Sequence, residues 1–212
     1  TILFFSILFL ISGCLNQKTT PEKMYEVMEK VVVAENTFKD QQDPLVEAEK
    51  KEKALYDQII TLGMKEHDKI LELSNEALSL VEERKKLMGL ETESIQKSED
   101  VFKELAPYIK DLKEDSLKKD AQKLYDSMIE RYRLHNQLQK AYLQAVEYDK
   151  ELYELFKNKE LTIEQIENQL NKINKMYEEI YQINEQFNGQ TEKYNKLKLA
   201  FYQEAGFKIV NE

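Results

Sequence analysis

The chain of 212 residues carries 31 basic and 40 acidic side chains, a formal net charge of −9, and it has one cysteine. An acidic chain lacks the basic surface that DNA or RNA binding requires, which excludes a nucleic-acid partner. Only five glycines and three prolines, with 33% charged residues, indicate long helices rather than a sheet-rich fold. A single cysteine excludes a disulfide bond within the chain.

The first segment is an apolar run that ends at Leu15, after which the chain becomes polar and charged. It is too short to cross a bilayer as a helix, which takes about 20 residues. Its length instead suits the apolar core of a secretory signal, about 7–15 residues. The run ends in Leu10, Ile11, Ser12, Gly13 and Cys14. This pattern of a branched aliphatic residue, two small residues and a cysteine resembles the lipobox of bacterial lipoproteins.

The lipobox resemblance implies that a diacylglycerol is attached to the Cys14 thiol and that the chain is cut between Gly13 and Cys14. Two acyl chains give lasting membrane attachment where one gives only marginal binding. We therefore expect a signal peptide over 1–13, a lipidated Cys14 with a polar tether over 14–20, and anchoring at the outer face of the cell membrane. The alternative is an ordinary secretory signal in which Cys14 is incidental. Because no initiator Met or basic residue precedes Ile2, we expect the natural precursor to begin further upstream.

The first helix is predicted to start with Thr20 as its N-cap and Pro21 at its first position. Its apolar residues recur every three or four positions, which is the pattern of a helix seam. This spacing keeps its phase across Pro44, which predicts one long helix kinked near Pro44. A break and restart at Asp43 is the alternative. The seam consists of Met24, Val27, Val31, Ala34, Phe38, Leu45, Ala48, Leu55, Ile59 and Leu62.

Gly63 is predicted to end the first helix, and a second helix is predicted from about His67 to Leu112. The second seam is Leu71, Ser74, Leu78, Val81, Met88, Ile95, Phe102, Ala106 and Ile109. A third helix is predicted from about Ser116 to Lys157. Its seam is Leu117, Ala121, Leu124, Met128, His135, Leu138, Tyr142, Ala145, Leu152 and Phe156.

The fourth helix is predicted to begin at a capping box of Thr162 and Gln165 and to end before Gly206. Its seam follows a heptad register and includes two polar residues, Asn184 and Thr191. Such residues fix the register of a bundle or leave a loosely packed section. The remaining seam residues are Ile166, Leu170, Ile173, Tyr177, Ile180, Phe187, Tyr194 and Phe201.

Four long helices joined by short loops should alternate in direction, with the left-handed twist of about 20° that a near-heptad repeat produces. At 1.5 Å per residue each helix would be about 60 Å long. The predicted fold is all-α: an elongated antiparallel up-and-down bundle of four long helices that forms one domain over 21–212.

The candidate chemical groups are few. A di-metal site in a bundle needs Glu-x-x-His on two helices, and neither His67 nor His135 has a glutamate three residues before it. We expect no metal, no cofactor and no catalytic residue, with the abundant carboxylates on solvated faces. His135 is expected in the core, bonded to a facing polar group, and His67 is expected to face solvent.

Tyrosine is the one residue type in excess, with 12 in the chain. Exposed aromatic rings can stack on sugars or anchor a partner protein, but at helical spacing packing at the edge of a seam is the preferred interpretation. Those on or beside the seams are Tyr142, Tyr148, Tyr153, Tyr177, Tyr181, Tyr194 and Tyr202.

A lipobox followed by a long helical segment rich in Lys, Glu, Tyr and Asn resembles the YkyA-type cell-wall-binding lipoproteins of Gram-positive bacteria. The stretches 124–132 and 193–198 are similar in character to that family, and the resemblance covers nearly the whole chain. It implies a helical bundle, a location at the cell surface and binding to the cell wall. It supplies no catalytic residues.

The leading functional hypothesis is a non-enzymatic, lipid-anchored bundle that binds wall polymer or a surface partner protein. A second hypothesis is a structural or regulatory protein that pairs with another helical protein through an exposed apolar or tyrosine-rich face. A third is a hydrolase or metal protein, which would require a deep polar pocket with two perturbed carboxylates or a metal.

Overall fold

The structure is a computed structural model that describes residues 18–62 and 66–208. Within these two ranges every regular element is a helix, and no strand occurs. The helices are α1 (Thr20–Ala34), α2 (Asn36–Ile59), α3 (His67–Phe102), α4 (Leu105–Asp111), α5 (Asp115–Phe156) and α6 (Ile163–Glu204).

These elements form the four long helices of the predicted all-α bundle. The first long helix is α1 with α2, bent at Glu35, and the second is α3 with the short α4. The third and fourth are α5 and α6. Pro44 lies inside α2, which confirms that the first helix continues through this proline, and the bend of this helix lies at Glu35, nine residues before Pro44. Gly63 lies outside the described residues.

A side chain from another helix accounts for the bend at Glu35. The backbone N–H of Phe38 donates to Ser94 Oγ at 2.9 Å, and this hydroxyl donates to the carbonyl oxygen of Ala34 at 2.7 Å. In an uninterrupted helix the Phe38 N–H would donate directly to Ala34, four residues earlier. A hydroxyl inserted into this hydrogen-bond ladder bends the helix.

The interruption between α3 and α4 has a local cause, and it corrects the prediction of an unbroken helix to Leu112. Lys103 stands four residues before Pro107, and a proline ring clashes with the carbonyl at that position and offers it no N–H. The Lys103 carbonyl instead accepts from the N–H of Ala106 at 3.2 Å. The helix therefore stops at Phe102 and restarts as α4.

Helices that are adjacent in the chain run antiparallel, as predicted. Ser116 at the start of α5 donates to Glu204 at the end of α6, at 2.5 Å. Near the opposite ends of the same two helices, Gln169 donates to the carbonyl oxygen of Tyr148 at 2.7 Å.

The start of α1 lies one residue earlier than predicted. Thr19 is the N-cap, because its hydroxyl accepts from the N–H of Glu22 while the Glu22 carboxylate accepts from the N–H of Thr19. Thr20 is therefore the first helical residue and Pro21 the second, where its missing N–H leaves no helical hydrogen bond unmade.

Both ends of α6 follow the prediction. The capping box of Thr162 and Gln165 is present at its start. At its end Gly206 has φ of 81°, the left-handed conformation that glycine tolerates best. The N–H of Phe207 donates to the Tyr202 carbonyl at 3.0 Å, and their rings lie 5.5 Å apart, which is a Schellman motif with its usual apolar contact.

The apolar core has two clusters. The first fills the end of the bundle that contains the start of α1, α4 and the end of α6, around Met28, Phe102 and Phe201. The second fills the opposite end, around Ile59 and Phe156. Buried polar side chains lie within and between the two clusters, and they are the most distinctive feature of the interior.

We predict that Ser94→Ala lowers the free energy of unfolding by about 1–2 kcal/mol, because the inserted hydroxyl loses both backbone partners. The loss is limited, since Phe38 N–H and Ala34 C=O can then bond to each other and straighten the helix. Urea unfolding measures the change. The control is Ser79→Ala on the same helix, whose hydroxyl bonds only to its own helix at Asn75. Equal effects of the two variants would contradict the role assigned to Ser94.

Candidate functional site

The Arg84 layer joins all four long helices around one guanidinium group. Arg84 lies on α3 and is only 1% exposed. Its Nη1 donates to Glu52 of α2 at 2.6 Å and to Asp149 of α5 at 2.9 Å. Its Nε donates to the hydroxyl of Tyr142 on α5 at 2.9 Å, and its Nη2 donates to that of Tyr177 on α6 at 2.6 Å.

Negative charge exceeds positive charge in this layer. The single cation of Arg84 faces Glu52 and Asp149, and a third carboxylate, that of Glu49, accepts from Tyr142 at 2.7 Å. Burial raises the pKa values of Glu52 and Asp149, and the opposing effect of Arg84 does not cancel this rise.

The Arg131 layer uses the bend in the first long helix. Arg131 of α5 donates to both carboxylate oxygens of Glu35, at 2.7 and 3.0 Å, and its Nε donates to Thr191 of α6 at 2.9 Å. Ser98 of α3 also donates to Glu35, at 2.8 Å. The guanidinium carbon lies 4.8 Å from the ring centroid of Phe187, so the cation is also stabilised by an aromatic face.

A third polar layer lies between these two. His135 is 1% exposed, and its Nε2 lies 3.1 Å from a carboxylate oxygen of Glu91. The other oxygen of Glu91 accepts from Gln42 at 2.6 Å. This confirms the expectation that His135 is a core residue bonded to a facing polar group.

The expectation for His67 was wrong. It lies in the first turn of α3 but is only 8% exposed, and its Nδ1 has no partner within the described part of the chain. Burial of a helix start depends on how the neighbouring helix ends pack, and sequence periodicity does not report this.

Most of the tyrosines on or beside the seams pack in the interior, which was the preferred interpretation. Tyr142, Tyr153, Tyr194 and Tyr202 are buried, while Tyr181 on α6 is 65% exposed and is the exception. The predicted lipid-attachment residue Cys14 and the lipobox residues lie before residue 18, outside the described residues: Leu10, Ile11, Ser12 and Gly13.

The described ranges contain no group of His, Cys, Asp and Glu placed to hold a metal ion. A shallow, mostly apolar depression lies on α1 and is lined by Tyr25, Glu26, Glu29, Lys30 and Val33. None of the helices between residues 18 and 208 that the structure describes combines the length and apolarity that a membrane span requires.

Sequence reasoning did not identify Arg84 and Arg131 as interior residues, although the signal was present. Arg84, Glu91 and Ser98 follow each other at seven-residue spacing and fall in the gaps of the predicted α3 seam. Arg131 falls in the corresponding gap of α5, between Met128 and His135. A polar residue that keeps heptad phase marks a buried polar layer.

The fold and its interior define an all-helical bundle protein with polar layers inside. A family model described as "Putative cell-wall binding lipoprotein" matches residues 19–204, and the chain belongs to this family, YkyA.

Two known proteins are similar to this chain. A relative from Bacillus subtilis (strain 168), described as uncharacterized lipoprotein YkyA, is 35% identical over 206 residues, which are 97% of this chain and 92% of the relative. A 1.6 Å crystal structure of a conserved protein of unknown function from Staphylococcus aureus is similar with a TM-score of 0.75 and 20% identity. That match covers 88% of this chain and 97% of the other chain, and it supports the fold alone.

The raised pKa of Glu52 gives a pH prediction. The folded state holds the proton of the Glu52 carboxyl group more tightly than the unfolded state does. The contribution of Glu52 to the free energy of unfolding therefore falls as the pH rises above about 4.5. We predict that the free energy of unfolding of Glu52→Gln, relative to that of the unmodified protein, increases as the pH is raised from 4.5 to 7.5. Urea unfolding measures this difference.

The matched control is Glu130→Gln on the surface of α5. A hydrogen bond from Arg133 lowers the pKa of Glu130, so its contribution is present at neutral pH and is lost on acidification. The two variants should therefore respond to pH in opposite directions. A relative loss of stability by Glu52→Gln as the pH rises would contradict the assignment of excess buried negative charge.

Proposed function

We propose that this chain is a non-enzymatic lipoprotein that is anchored by a diacylglycerol on Cys14 and binds cell-wall polymer outside the membrane. The observation that carries the proposal is the lipobox pattern that precedes a bundle of the YkyA family. The relative from Bacillus subtilis is also described as a lipoprotein.

The position of Cys14 gives the bundle an orientation. The residues between Cys14 and α1 can span at most roughly 20 Å, since an extended chain covers about 3.4 Å per residue. The end that contains the start of α1, α4 and the end of α6 would therefore face the membrane. The opposite end would reach about 60 Å further out, because α6 has 42 residues.

The interior polar groups support a binding role rather than catalysis. Glu52, Asp149 and the partly buried Glu35 are bound to arginine, and the buried Glu91 is bound to His135 and Gln42. A general acid or base would have to reach a substrate in a cleft, and the shallow depression on α1 does not contain these groups.

The distribution of exposed apolar residues favours a polymer over a helical partner protein. A partner helix that binds in a groove would require one continuous apolar stripe. The large exposed apolar side chains are instead spread over several helices. They are Val33, Val46, Ile60, Leu90, Ile163, Tyr181 and Leu199.

The anchoring part of the proposal predicts the chemistry of the natural N-terminus. Mass spectrometry of the protein from native membranes should give a chain that begins at Cys14 and carries a diacylglycerol on its sulfur. Cys14→Ser should abolish labelling by a fatty-acid precursor, while Ser12→Ala, which keeps a small residue, should leave it intact. Recovery of an uncut leader with a free thiol would contradict this anchor.

The binding part predicts that the full chain, extracted from membranes in detergent, is enriched on purified wall sacculi. The comparison is an unrelated acidic helical bundle under the same conditions, which controls for trapping and for charge. Enrichment no greater than that of this control would overturn the proposed binding to wall polymer.

A further inference from the structure

One side of the bundle is held together by side chains that reach across it. α6 packs closely on α5, and α2 packs closely on α3. Between α2 and α6 the connection at one level is Arg84, which lies between Glu49 and Tyr177. At a second level it is Arg131, which joins Glu35 at the bend to Thr191.

These connections fix how α2 and α6 are aligned. Glu35 and Glu49 are two heptads apart, and so are Tyr177 and Thr191, so the antiparallel register is constant over this length. Midway between the two arginines the register pairs Gln42 with Asn184, and both side chains are exposed. Between this level and that of Arg131, the buried rings of Phe38 on α2 and Phe187 on α6 lie 6.1 Å apart. The interior is therefore closed, and only the outer surface between the two helices, which we call the α2–α6 face, is exposed to solvent.

The α6 side of the α2–α6 face is rich in asparagine. α6 contains six asparagines, whereas α5, which also has 42 residues, contains one. Asparagine is among the weaker helix formers, so helix stability does not account for this composition. Four exposed residues one heptad apart form what we call the amide row: Asn174, Tyr181, Asn188 and Asn195.

The amide row borders the α2–α6 face on the surface of α6. Three of its members stand three residues before the residues that align with α2, which are Tyr177, Asn184 and Thr191. The same register pairs Val46, which is 46% exposed, with Ile180, one residue before the 65% exposed Tyr181. Two exposed apolar side chains therefore lie at nearly the same level of the α2–α6 face.

The chemistry of the row suits a carbohydrate. Each asparagine amide can both donate and accept hydrogen bonds, which matches hydroxyl and acetamido groups. An exposed tyrosine ring can stack on a sugar ring. The row repeats every 10.5 Å or so, at 1.5 Å per residue, which is close to the length of one disaccharide of an extended 1,4-linked glycan.

The neighbouring charges argue against a phosphate polymer. On the other side of the amide row, α6 presents an exposed row of carboxylates, also one heptad apart: Glu178, Glu185 and Glu192. The chain as a whole has a net charge of −9. A polyanion that lay along this face would be repelled.

We propose that the amide row, with the neighbouring α2–α6 face, binds a linear glycan that carries hydroxyl and acetamido groups and runs along α6. This inference rests on the proposed wall-binding function and names its site and ligand class. The row extends over about 30 Å, so the site would hold several sugar units of one strand.

The test uses the full chain in detergent and purified sacculi. Tyr181→Ala and the triple variant Asn174→Ala/Asn188→Ala/Asn195→Ala should each weaken binding roughly tenfold or more, as loss of a central anchor does. Alanine favours the helix, so the triple variant should remain folded. The control triple variant, Asn75→Ala/Gln96→Ala/Gln137→Ala, removes exposed amides of α3 and α5 and should bind like the unmodified protein.

Sacculi treated with hydrofluoric acid, which removes phosphodiester-linked polymers, should bind as well as untreated sacculi. Soluble glycan fragments released by a muramidase should compete. Loss of binding after acid treatment would overturn the choice of glycan. If the unmodified protein binds but the α6 variants bind equally well, this site is wrong while the proposed function stands. If the unmodified protein does not bind sacculi, the proposed function itself fails.

Discussion

Two buried guanidinium groups determine how the four helices of this bundle meet. A cation removed from water is tolerated only where hydrogen-bonding and charged partners surround it, and removing one partner is far more costly than removing a surface charge. Arg84 contacts three other long helices and Arg131 contacts two, so their partners must lie at fixed heights and rotations. Apolar packing alone would tolerate small slips of one long helix along another.

The bend at Glu35 belongs to the same system. The Ser94 hydroxyl takes the place of one helical hydrogen bond, and the residue at the bend turns its carboxylate towards Arg131. A straight first helix would follow a different path past α5. Between α2 and α6 the two arginines make polar contacts at two levels, and the rings of Phe38 and Phe187 pack between those levels.

The amide row on α6 repeats with the same heptad spacing as Tyr177 and Thr191, which bind the arginines, so a change in register would displace both. A rigid helix surface with regularly spaced side chains presents its groups at fixed distances, which suits a ligand that is itself a regular polymer. The polar interior thus supplies the alignment, and the exposed row supplies the recognition.

The sequence was sufficient for the fold class, because three-and-four spacing of apolar residues reports which face of a helix is buried. It also identified the capping box at Thr162 and the continuation of the helix through Pro44. It could not predict the bend at Glu35, because the cause is a hydroxyl of Ser94 some sixty positions away in the chain. The interruption before Pro107 could have been predicted, since a proline disturbs the carbonyl four residues earlier. The buried arginines were detectable only as gaps in the seams, which show polarity without showing the partner.

The measurement that tests this account most directly is a double-mutant cycle on the Arg131 and Glu35 pair, followed by urea unfolding. Arg131→Met alone should cost about 3 kcal/mol, because it leaves the partly buried carboxylate of Glu35 without its cation. The double variant Glu35→Leu/Arg131→Met should regain more than half of that loss, since no uncompensated charge remains. If the two substitutions have independent, additive effects, the buried pair does not hold these helices in register and the account is wrong.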